Sequence, residues 1–128
     1  MALNENGRRI VYRLLEYDNL LDSSNCGLDV WINLAKDVKR FYNHFDGFVI
    51  LHGTDTLPYA ASALSFILEN LSKPVVMTGS ELPIDRLRND GRQNLLGALL
   101  FAGGGYDIPE VTVFVQNEVG PSVHLCAD

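Results

Sequence analysis

The chain has 128 residues, 47% of them hydrophobic and 20% charged, with 10 Lys+Arg against 16 Asp+Glu and a formal charge of −6. This is ordinary globular composition, enough for one domain with a real core, and the acidic balance leaves no spare positive charge for a nucleic-acid backbone. The uncharged runs at 57–68 and 94–106 carry serines or glycines and fall short of the ~18 apolar residues of a membrane span, so no membrane partner is expected.

The opening residues Met1–Arg9 have no apolar core behind their charges, unlike a signal peptide, and Cys26 and Cys126 form no C-x-x-C pair. Reduced thiols and a cytoplasmic setting are the expectation. Arg9–Tyr17 is apolar and β-branched enough for a first strand, and Asp22–Gly27 reads as a turn. From about Asp29 to His44, Leu28, Trp31, Ala35, Val38 and Tyr42 recur at helical spacing with Lys36, Asp37, Lys39 and Arg40 opposite. Asp46-Gly47 breaks that helix, and Phe48–Leu51 is a short continuous apolar run of the kind buried on both faces in a parallel sheet. The loop His52–Thr56 leads into a second helix over Leu57–Asn70, with Thr56 as N-cap and Pro58 in the first turn. Val75–Met77 is the next strand, with Thr78–Pro83 its exit loop; a helix over Asp90–Ala102 and a strand over Val111–Val115 follow.

The pattern is β-α-β-α-β-α-β, with no repeat, linker or internal domain boundary. It predicts an α/β fold: an open, mostly parallel sheet with helices on both faces, joined by right-handed crossovers. Ligands bind such sheets outside the carboxyl ends of the strands. The loops 18–27, 52–56 and 78–88 are therefore expected to converge, bringing Asp22, Ser23, Ser24, Thr54, Asp55, Thr56, Thr78, Ser80 and Glu81 to one edge. No phosphate-binding glycine loop and no metal-spaced His/Cys cluster occurs. A helix N-terminus offers N–H groups to a carboxylate, Asp55 can accept from an ammonium group, and Thr54 sets a hydroxyl beside it. Thr and Asp ahead of a helix also serve as plain caps, and the pattern alone leaves both roles open. A threonine hydroxyl needs a base to become a nucleophile, and none is evident nearby.

Asp46-Gly-Phe-Val-Ile-Leu-His-Gly-Thr-Asp-Thr-Leu57 resembles the second signature of the bacterial-type L-asparaginases. Ala61–Pro74, Thr78-Gly-Ser-Glu-Leu-Pro83, Asp90–Leu99, Ile108–Val113 and Leu20–Ser24 are similar to the cytoplasmic, type I branch, which includes the asparaginase domain of animal asparaginase–lysophospholipases. The resemblance runs from about residue 11 to 117. It implies hydrolysis of L-asparagine to L-aspartate and ammonia without metal or organic cofactor, by a family that is homo-oligomeric. It further implies catalytic roles for Thr54 and Asp55, with Asp55 holding the substrate ammonium. Asp22, Ser23 and Ser24 would serve the loop that binds its α-carboxylate.

Three departures stand beside the match. No T-G-G-T-I, the family's motif for the usual nucleophile, occurs in the chain; Glu81 replaces the common Gln; and residues 118–128 read as a divergent tail in place of the stretch leading to the activating Lys. The expectation is a partial N-terminal asparaginase domain over 1–128, truncated at both ends. The alternative function is that of an inactive form acting at most as a small amino-acid binding or interaction module.

Overall fold

Short apolar runs pair into one sheet in the computed structural model of the chain, which describes residues 9–16, 27–53, 56–79, 91–103, 109–115 and 118–121. The elements are α1 (Leu28–Phe41), β1 (Phe48–Leu51), α2 (Leu57–Ile67), β2 (Val75–Thr78), α3 (Gly91–Gly103), β3 (Val111–Val115) and β4 (Glu118–Pro121). The strand order is β1-β2-β3-β4. β1, β2 and β3 run parallel, with Phe48, Val75 and Val111 in one row and Ile50, Met77 and Val113 in another; β4 runs antiparallel to β3.

Successive strand residues point to opposite faces, so the register divides the core into two layers. Ile50, Val75, Met77, Val111 and Val113 face α1 and α2, packing against Ala35, Val38, Leu57, Ala60, Ala61 and Leu64. Val76 and Phe114 face α3, packing against Ala98 and Ala102. All four residues of β2 are buried, and Val75, Val76, Met77 and Leu64 are completely enclosed. Burial of each such side chain contributes about 1.5–3 kcal/mol. The expected α/β architecture, with helices on both faces of an open and mostly parallel sheet, is present.

α3 comes very close to the sheet because its inner face is built of small residues. A Cβ on Gly97 would run into the Phe114 ring, and one on Gly47 would run into the backbone carbonyl of Ala102.

The crossovers differ from the expectation. The step from β1 to β2 and the step from β2 to β3 go the same way across the sheet, yet α2 covers one face and α3 the other. Two parallel crossovers that advance in the same direction over opposite faces have opposite hands, so one of them is left-handed. The usual preference comes from strand and helix twist packing back on the sheet. Here α2 packs into one layer and α3 into the other, so one crossover departs from it.

Two further expectations change. Residues 9–16 form no strand: apart from a bridge at Arg9 they are irregular, and Val11, Tyr12, Leu14 and Leu15 are 79%, 65%, 69% and 54% exposed. β propensity reflects packing on a pleated surface, and these side chains have no covering layer; only Ile10 reaches the core side, beside Gly103. At 118–121, where a divergent tail was expected, β4 pairs along β3. Gly120 and Pro121 disguise it, because Pro is confined to edge strands and β4 is the edge of the described sheet. α1 and α2 end at Phe41 and Ile67, earlier than periodicity suggested. Asn70, at φ 58°, turns the chain toward β2.

Candidate active site

β1 and β2 are neighbours, yet the helix that follows β1, α2, lies on one face of the sheet and the helix that follows β2, α3, on the other. Adjacent strands with diverging exits leave a crevice at their carboxyl ends, the general ligand position in open α/β sheets. Such a crevice normally marks a reversal of strand order. In this fold the opposite-handed crossovers create it without one.

The two lips are fastened together. The ladder pairs Leu51 with Thr78, and one step further the His52 N–H donates to the Thr78 carbonyl at 2.9 Å. His-Gly-Thr-Asp-Thr and Thr-Gly-Ser-Glu therefore depart from the same level of the sheet. Thr78 itself is 1% exposed, and its Oγ1 donates to the Phe114 carbonyl at 2.6 Å. That hydroxyl, one of the set expected at the edge, is spent on joining β2 to β3. Beyond it, the Gly79 carbonyl accepts a 2.8 Å hydrogen bond from Nδ2 of Asn94, in the first turn of α3.

His52, the first residue past β1, is half-buried. Its Nδ1 lies 2.8 Å from the Gly53 carbonyl, an atom that only accepts, so the hydrogen bond requires the proton on Nδ1. In the neutral ring Nε2 is then a bare acceptor. It is buried and has no partner among the described residues.

Thr56 occupies the N-cap of α2 as expected, but its side chain makes no capping hydrogen bond. Pro58 sits in the first turn, where its missing N–H is harmless. The other expected site residues, Thr54, Asp55, Asp22, Ser23 and Ser24, lie outside the described residues, as do Ser80 and Glu81. Among the described residues no group of three or more His, Cys, Asp and Glu is arranged to hold a metal, and no helix is long and apolar enough to cross a membrane.

Asn94 is the polar residue that the sequence reading passed over. It is 1% exposed and shares the inner face of α3 with Ala98 and Ala102, at i, i+4 and i+8. An amide in an otherwise small and apolar helical stripe is the signal that could have found it.

At the opposite edge of the sheet lies a second polar cluster. Lys73, just before β2, donates to the Tyr42 carbonyl at 2.5 Å and stands 4.8 Å from the centre of its ring. The Tyr42 hydroxyl meets Ser72 Oγ at 2.9 Å and accepts from the Ser72 N–H at 2.6 Å, while the ring stacks on Phe48. Partial burial alone would raise the Tyr42 pKa; the hydrogen bonds from Ser72 and the nearby Lys73 outweigh it, and the phenol ionises below its usual range. Every group in this cluster is paired, which makes it a latch between α1 and β2. Lys73 is thus far from the crevice, at the end of β2 where its position in the sequence put it.

The family model described as Asparaginase, N-terminal matches residues 3–125. An L-asparaginase of Dirofilaria immitis is 55% identical over 117 residues, covering 91% of this chain and 20% of the relative. A 60 kDa lysophospholipase of Mus musculus is 54% identical over 112 residues, covering 88% of this chain and 20% of the relative. The crystal structure of L-asparaginase I from Vibrio cholerae superposes with a TM-score of 0.79 at 52% identity, covering 84% of this chain and 33% of that one. The chain thus spans between a fifth and a third of the length of these proteins.

Proposed function

The chain belongs to the asparaginase family, and we propose that the crevice at the ends of β1 and β2 holds L-asparagine for hydrolysis of its side-chain amide. The observation that carries this reading is the fastening of the His-Gly-Thr-Asp-Thr loop to the β2 exit at the point where the two loops diverge. In the proposed arrangement Asp55 accepts from the α-ammonium group, and Asp22, Ser23 and Ser24 serve the α-carboxylate. Thr54, beside Asp55, activates the hydroxyl or water that attacks the amide carbonyl carbon. With water as nucleophile, its oxygen bonds to that carbon to form a tetrahedral centre. Collapse breaks the C–N bond, and one water proton goes to the nitrogen, which leaves as ammonia. The water oxygen remains in the side-chain carboxyl group of L-aspartate. With a threonine hydroxyl as nucleophile, collapse leaves an acyl ester, and water then breaks its C–O bond and returns the hydroxyl. The chemistry uses no metal or organic cofactor, and the type I resemblance supports a cytoplasmic location and a homo-oligomeric state.

Two measurements test the reading. Calorimetry with L-aspartate on the purified chain is expected to give heat of binding, and Thr54→Ala to abolish ammonia release from L-asparagine. Ammonia release above background that is lost in Thr54→Ala upholds hydrolysis at this crevice, and binding without ammonia release upholds the pocket and refutes hydrolysis by these residues. No heat and no ammonia at millimolar ligand refutes the reading.

A further inference from the structure

We propose that Asn94 is a positioning residue: from the first turn of α3 it holds the carbonyl of Gly79 and so sets Thr78-Gly79, where the chain leaves β2, against His52, where it leaves β1. The inference deepens the reading of the crevice as an L-asparagine site and rests on it for the identity of the ligand.

Four observations carry it. Asn94 is one of only three buried polar residues among those described, the others being Thr78 and Thr112. Placing an amide in a helix–sheet interface costs free energy unless its hydrogen bonds are made, so its partner there is specific. That partner is Gly79 O at 2.8 Å, the first residue past β2. Its neighbour Thr78 is held from both sides, through Oγ1 to the Phe114 carbonyl and through its own carbonyl to the His52 N–H.

The result is a path from α3 to the start of each lip, two hydrogen bonds joined covalently through Thr78-Gly79. Ala98 and Ala102, together with the absence of a side chain at Gly97, bring α3 close enough for a short Asn side chain to span the gap. A loop anchored only by its strand swings about its last ladder bond; a second anchor one residue further removes that freedom. Binding a ligand of a few heavy atoms then costs less loop ordering. Asn94 touches no reacting atom in this scheme; it acts through Gly79 and Thr78.

The test uses the whole 128-residue chain and two variants. Asn94→Asp keeps the shape but removes the donor, and Asn94→Ala removes both. Val38→Ala, in the layer between α1 and the sheet, is the control for lost stability alone. Both Asn94 variants are expected to weaken L-aspartate binding by about tenfold or more in calorimetry. Both are also expected to speed amide exchange at His52, whose N–H crosses between the lips. Val38→Ala should lower the melting temperature and leave affinity and His52 exchange as they were. At a pH low enough to protonate the introduced carboxyl of Asn94→Asp, a donor is restored, and the ratio of His52 exchange in the variant to that in the parent at the same pH should fall back toward one.

Unchanged His52 exchange in the folded Asn94→Ala variant overturns the proposal. So does a loss of affinity in Val38→Ala equal to that in the Asn94 variants. If the parent chain binds neither L-aspartate nor L-asparagine, the functional reading fails; the exchange arm still decides, upholding the anchor if His52 is freed and rejecting it if not.

Discussion

Gly97 lies in the interior of α3, where replacing Gly by Ala ordinarily adds up to about 1 kcal/mol of helix stability. In this fold the sign should reverse. A Cβ at that position lies 3.1 Å from Cε2 of Phe114 and closer still to Cε1 and Cζ. The ring cannot swing away cheaply, because Phe114 is 8% exposed and enclosed by Val76, Ala98 and Ala102. Relieving such overpacking costs about 1–3 kcal/mol. With two ring carbons inside contact distance the cost falls in the upper part of that range, so Gly97→Ala is expected to lose about 1–2 kcal/mol net. Phe114→Leu shortens the side chain. In that background the same Gly97→Ala change should become neutral or stabilising, giving a coupling of about 1–3 kcal/mol in the double-mutant cycle. Urea unfolding of the four proteins, followed by far-UV circular dichroism, measures it. Stabilisation by Gly97→Ala in the parent chain, or strict additivity with Phe114→Leu, would refute the argument that α3 is seated on a missing side chain.

Other outcomes follow from single groups. Thr112 is 1% exposed and its hydroxyl has no partner among the described residues, so Thr112→Val should stabilise by about 1 kcal/mol and raise the melting temperature by about 3–5 °C; a lower melting temperature would mean the hydroxyl is satisfied. Ultraviolet titration should find a tyrosine component ionising below pH 10 that is absent from Tyr42→Phe. Since the folded phenol ionises at lower pH than the unfolded one, folding favours its anion. The stabilisation is full above pH 10 and fades as pH falls through the folded value, so a parent-minus-variant stability difference that shrinks on raising the pH through this window contradicts the latch.

Much of this architecture can be read from local pattern. β1 is a continuous apolar run and β3 a β-branched and aromatic one, bounded by Asp46-Gly47 and by Pro109-Glu110, and their limits in the structure are those of the runs. Of the expected helical stripe, Trp31, Ala35, Val38 and Tyr42, the C-cap of α1, likewise meet the core, while Leu28 at its first position is 59% exposed. Other features are set by what lies across the interface. The crossover hand depends on which layer receives each helix, and neither α2 nor α3 carries that information in its own spacing. Arg9–Tyr17 has the composition of a strand but residues 9–16 lack a surface to pack on, whereas Glu118–Pro121 has the composition of a turn and pairs with β3. The site divides in the same way. Thr54 and Asp55 stand out through a specific string of residues. Asn94 is legible only once the neighbours of its helical face are known to be small, and the role of Thr78 only once Phe114 is known to lie beside it.

The opposite hands of the two crossovers also bear on how such a pocket can be reshaped. Growth in the loop after β1 spreads over the layer of α2, and growth in the loop after β2 spreads over the layer of α3. With both crossovers on one face, a longer loop would crowd its neighbour. In this chain each lip can lengthen, shorten or exchange its polar groups without colliding with the other, and the hydrogen bond between His52 and Thr78 keeps their roots in place. A binding pocket with two independently adjustable walls on a fixed floor can be retuned toward a larger or differently charged amino acid by changes confined to one wall.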